Sequence, residues 1–79
     1  MKLPREISGN EFSKLLKPFG YQITRQTGSH IRLTTNQNGE HHITIPGHKF
    51  LKIGTLNSIL NDIAEHLKIE KSELIQKIF

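Results

Sequence analysis

The sequence predicts an α+β fold: a three-stranded antiparallel sheet with helices on one face, plus a short C-terminal helix. Three observations predict it. Residues 30–35 and 41–45 alternate polar and apolar side chains, the period of strands with one buried face. Thr27-Gly28-Ser29 and Asn36-Gln37-Asn38-Gly39 supply turn signals around these runs. Apolar residues recur at helical spacing on both sides of the strands. The 79 residues suffice for one small domain, 1–79.

Residues 1–7 read as an extended lead-in. Ser8-Gly9-Asn10-Glu11 fits a capping box, with Ser8 at the N-cap and Glu11 three residues on. Phe12, Leu15, Leu16 and Phe19 make the apolar stripe of a first helix. Pro18 would clash with the carbonyl of Lys14, so the helix is expected to end near Lys17, with Pro18-Phe19-Gly20 as a turn. Tyr21 to Gln26 reads as the first strand, with Tyr21, Ile23 and Arg25 alternating against Gln22, Thr24 and Gln26.

Gly28 can supply a positive φ for the hairpin into a second strand, His30 to Thr35. Here Ile31 and Leu33 share one face and His30, Arg32 and Thr34 the other. A third strand, His41 to Ile45, puts Ile43 and Ile45 opposite His42 and Thr44, and Pro46-Gly47 stops it. Residues 48–52 form a loop. Helix 2 starts near Gly54-Thr55, and Leu56, Ile59, Leu60, Ile63, Ala64 and Leu67 form its broad apolar stripe. A final helix within residues 70–79 has Glu70 as its N-cap and Leu74, Ile75, Ile78 and Phe79 as its apolar face. One sheet face, with Ile31, Leu33, Ile43 and Ile45, should lie under helices 1 and 2. The other should stay polar.

Composition excludes several function classes. There is no cysteine, hence no disulfide and no thiolate metal site. No apolar run approaches the ~20 residues of a membrane span, and no signal-type stretch follows Met1 to Glu6. A cytoplasmic protein with no membrane contact is expected. The net charge is +4 with histidines neutral. The excess sits between residues 14 and 52, where Lys14, Lys17, Arg25, Arg32, Lys49 and Lys52 face the single carboxylate of Glu40. That favours a polyanionic partner, nucleic acid before membrane, because no helix pairs an apolar stripe with a basic face.

Five histidines invite a metal reading, which the spacing opposes: adjacent His41 and His42 point to opposite faces of a strand. No metal and no cofactor is expected. His66, one turn from Asp62, reads as a surface histidine near a helix C-terminus. His30 is the candidate acid–base group. Beside Arg32 on a polar face, an imidazole can act on an RNA phosphodiester, because the 2′-hydroxyl is a built-in nucleophile needing a base, an acid and nearby positive charge. Taken alone, an exposed strand histidine is ordinarily a bystander. The second candidate stretch is His48 to Thr55. Lys49 and Lys52 carry charge, and Gly54 and Thr55 at a helix start offer free N–H groups to a phosphate. An ordinary helix start with solvated lysines accounts for it equally well.

Together these stretches resemble the HicA toxin family of small mRNA interferases. Pro18-Phe19-Gly20-Tyr21 is similar to the family's Leu-x-x-x-Gly-Phe segment, with the aromatic kept. Gly28-Ser29-His30 resembles its Gly-Ser-His, whose histidine is catalytic. Ile45-Pro46-Gly47-His48 resembles its Val-Pro-x-His. Residues 52–60 (Lys52-Ile53-Gly54-Thr55-Leu56-Asn57-Ser58-Ile59-Leu60) resemble its Lys-x-Gly-Thr-Leu-x-x-Ile-Leu. The likeness runs from about Ser8 to Phe79. It implies a double-stranded-RNA-binding-like α-β-β-β-α fold, ribosome-independent cleavage of mRNA with His30 as the catalytic histidine, and a HicB-type antitoxin; with no metal expected from the residues, that cleavage is expected to be metal-independent. Ser29, Arg32, His48, Lys49, Lys52, Gly54 and Thr55 are then the expected RNA and phosphate contacts. The C-terminal helix, longer than in many relatives, is available for homodimer or antitoxin contacts. A structured-RNA binder that does not cut, and a pure protein-interaction module, use the same face. Either His42 or His48 could be the second proton carrier.

Overall fold

A computed structural model describes Leu3 and residues 6–79. The expected lead-in over residues 1–7 therefore lies largely outside the described residues. Helix α1 spans Gly9–Leu15 and opens with the expected capping box: Ser8 accepts from the Glu11 N–H at 3.0 Å, and the Glu11 carboxylate accepts from the Ser8 N–H. It ends two residues earlier than the proline alone requires. Lys17–Phe19 instead form one 3₁₀ turn with Pro18 at its start, and Gly20 closes that turn at φ 81°.

Strands β1 (Gln22–Thr27), β2 (His30–Thr35) and β3 (His41–Pro46) pair antiparallel in the order β1-β2-β3. Gly28 takes φ 55° in the two-residue turn between β1 and β2. Pro46 still pairs as the last residue of β3; on an edge strand its missing N–H costs no ladder bond. Helix α2 runs Ile53–Leu67, and α3 runs Lys71–Ile78 with Glu70 at its N-cap.

Ile31, Leu33, Ile43 and Ile45 turn inward as their alternation requires, and all four are buried. Against them pack Phe12 and Leu16 of the α1 region and Leu56, Leu60 and Ile63 of α2, all fully buried. Helix α3 adds Leu74, Ile75 and Ile78, and the ring of Phe79 stacks 6.3 Å from that of Phe12. The helices lie over β2 and β3. Every residue of β1 is exposed, and Ile23 keeps half its surface open although it pairs with buried Leu33.

Candidate active site

His30 is the first residue of β2, directly after the turn. Its side chain is exposed, on the face away from the helices. On its rung sit Thr27 of β1 and Pro46 of β3, neither of which can ion-pair with the imidazole. The next rung on this face is Arg32, flanked by Thr44 and Arg25.

That place for Arg25 corrects the simple alternation expected for the first strand. The β1–β2 register shifts between Ile23 and Arg25, so Thr24 is an extra residue in the ladder. One inserted residue moves every later side chain to the opposite face. Thr24 and Arg25 therefore both serve the polar face, and Thr24 Oγ1 lies 3.1 Å from Thr34 Oγ1. Two guanidinium groups now stand opposite one another beside His30. Directly opposed like charges are unfavourable in a sheet, and among the described residues neither arginine pairs with a carboxylate. An anion placed between them would relieve that repulsion. Sequence reasoning missed Arg25 because Thr24-Arg25-Gln26-Thr27 contains no apolar residue to anchor the register.

Ser29 occupies the turn, and its carbonyl accepts a hydrogen bond from the Gly47 N–H. This bond roots the 48–52 loop against the residue preceding His30. His48, Lys49 and Lys52 are exposed on that loop. Gly54 and Thr55 follow in the first turn of α2. Its N-cap, Lys52, makes no side-chain cap bond, and the first N–H engaged at this end is that of Leu56, with the Lys52 carbonyl at 2.9 Å. A Cβ added at Gly54 would meet nothing within 4 Å, so this helix start is open.

The remaining histidines are placed elsewhere. His42 shares the polar face but sits opposite Thr34, four residues from the His30 rung, about 14 Å at normal strand rise. Its Nδ1 lies 2.7 Å from Thr34 Oγ1 and its Nε2 3.0 Å from Glu40. His41 points the other way, as strand alternation requires. Its Nδ1 is 2.8 Å from the Tyr21 hydroxyl, and its Nε2 is 3.2 Å from Asp62. Burial, and then the charge of Asp62, push the Tyr21 phenol up to about 12.

His66 stacks on His41 at 4.2 Å between centroids, and its Nε2 donates to the carbonyls of Gln37 and Gly39. His66 is thus a half-buried brace between α2 and the β2–β3 turn, which corrects its reading as a surface histidine. Proximity of α2 to that turn is a tertiary fact with no local signal. Among the described residues, no group of three His, Cys, Asp or Glu is arranged to hold a metal ion. No helix there is long and apolar enough to cross a membrane.

A family model described as the HicA toxin of bacterial toxin–antitoxin systems matches residues 9–64. Those residues include α1, the sheet, the 48–52 loop and most of α2. Neither a curated protein nor a solved structure gives a match.

Proposed function

The chain belongs to the HicA toxin family, and from that premise we propose that it is a metal-independent endoribonuclease acting on mRNA through His30. One observation carries the reading: an exposed imidazole at a strand end, one rung from two opposed and unpaired arginines. His30 acts on the proton of the ribose 2′-hydroxyl or of the leaving 5′-oxygen. Arg32 and Arg25 balance the charge of the phosphorane, and Lys49, Lys52 and the open N–H groups at Gly54 and Thr55 hold flanking phosphates. Attack by the 2′-oxygen forms the new P–O bond and expels the 5′-oxygen, which takes up a proton. The products are a 2′,3′-cyclic phosphate and a 5′-hydroxyl.

Two histidines serving one phosphate must both come within hydrogen-bond reach of its oxygens, directly or through one water. His42, about 14 Å along the strand and engaged at both nitrogens, does not meet that condition. His48 is two residues beyond Pro46, which shares the rung of His30, so it is the better candidate for the second proton. The antitoxin implied by the family is, in this reading, of HicB type and covers the same face.

The test is cleavage of a single-stranded RNA in EDTA by the parent and by His30→Ala. The variant is expected to lose roughly 10²–10⁴-fold in rate. A 2′-deoxyribose at the cut site should protect the strand. Equal cleavage by both proteins would remove His30 from the mechanism. Tight, salt-sensitive binding with no product from either protein would favour the non-cutting RNA binder.

A further inference from the structure

Phe50 keeps 55 % of its surface open to solvent. Its loop is nevertheless anchored on both sides. The Gly9 N–H donates to the His48 carbonyl at 3.0 Å, and the Leu51 N–H donates to the Ile7 carbonyl at 2.8 Å. Leu51 itself is driven into the core, with 3 % exposed. The loop thus inserts one apolar side chain and holds the adjacent aromatic ring outward.

The surroundings of that ring are cationic. Lys49 Nζ lies 5.8 Å from its centroid, and Lys52 follows two residues on. From His41 to Asn61 the chain contains no aspartate or glutamate. The root of the loop is tied to Ser29, and Pro46 shares the rung of His30. Phe50 is four positions after Pro46, so their backbones are at most about 14 Å apart.

An exposed apolar ring with one ammonium group 5.8 Å from its centroid matches a nucleotide, which offers a π-face and a phosphate together. We propose that Phe50 is a stacking platform for a base of single-stranded RNA, within a few nucleotides of the phosphate at His30. The inference rests on the nuclease reading and adds a determinant of substrate binding to it. Stacking accepts any base, so Phe50 contributes affinity and positioning with little sequence preference.

The chain has no tryptophan, so Phe50→Trp places a single indole fluorophore at the proposed platform. The variants Phe50→Trp, Phe50→Tyr and Phe50→Leu are made on a His30→Ala background, which keeps the probe intact. The probe is a short single-stranded oligoribonucleotide, with an abasic ribose–phosphate oligomer of equal length as control. RNA should quench the indole emission of the Phe50→Trp variant, and the abasic oligomer should not. The aromatic variants should bind within about threefold of the His30→Ala protein. Phe50→Leu should bind RNA at least roughly fivefold more weakly, yet bind the abasic oligomer equally well.

Unchanged RNA affinity for Phe50→Leu, with no quenching of the indole, would overturn the platform and leave the nuclease reading standing. Failure of every protein, including His30→Ala alone, to bind RNA would overturn both. A fluorescence change and a Phe50→Leu defect seen only with an antitoxin protein would make this a protein-docking residue and overturn the inference.

Discussion

Thr24 is the residue at which the ladder loses its regular alternation. By occupying a place with no partner on β2, it sends Arg25 to the face of His30. Tyr21 is the other residue whose role depends on distant neighbours. Its ring is fully buried while its hydroxyl reaches His41, and Asp62 lies beyond that imidazole. The unfolded phenol ionises near 10, whereas the folded one is pushed up to about 12. The contribution is complete below pH 10. Between pH 10 and 12 the unfolded state gives up this proton first, so stability falls as pH rises, by roughly 2–3 kcal/mol in total. Tyr21 is the only tyrosine, so phenolate absorbance reads it alone. The native protein should titrate near pH 12, and Tyr21→Phe should flatten the alkaline loss of stability. A native titration midpoint near pH 10 would contradict the buried, hydrogen-bonded hydroxyl.

Among the elements, α1 shows how close packing sets the position of the site. Gly9 opens the helix against the end of β3, where an added Cβ would collide with the Pro46 carbonyl oxygen. In an exposed helix, Gly→Ala is stabilising by roughly 0.5–1 kcal/mol. Here the collision is with backbone, and forced overpacking costs typically about 1–3 kcal/mol. The clash should win: Gly9→Ala is expected to be less stable in urea unfolding, while Asn10→Ala on the exposed side stays within about 0.5 kcal/mol. Because the Gly9 N–H also holds the His48 carbonyl, the substitution should weaken RNA binding together with stability. A Gly9→Ala protein more stable than the parent would show that α1 does not dock this closely. The capping box was legible beforehand, since Ser8 and Glu11 are three residues apart in one helix start. The tight approach of Gly9 was not, since Pro46 is distant in sequence.

Across the whole molecule, charge and packing divide by face. The helices carry the buried stripes and most carboxylates: Glu11, Asp62, Glu65 and Glu73. Arg25 and Arg32 stand on the open sheet face, and Lys49 and Lys52 are exposed on the loop beside it. A partner of opposite charge is captured fastest on the basic side, where attraction steers the encounter. The antitoxin is therefore expected to cover His30 and the 48–55 segment. Hydrogen exchange on the complex would check this. Protection should concentrate at residues 28–32 and 48–55, whereas protection confined to α3 would mean inhibition by some route other than covering the site.

The sequence by itself determined the order of elements, the inward and outward faces of β2 and β3, both turns, and the exposure of His30. These depend on residues a few positions apart, whose backbone period sorts their side chains without outside help. Tertiary structure alone decided that Arg25 joins that face, that His41 and His66 brace the far end, and that His42 lies four residues along the sheet from the rung of His30. Each of those outcomes depends on register or docking between segments distant in the chain, where one inserted residue or one helix contact reassigns a side chain.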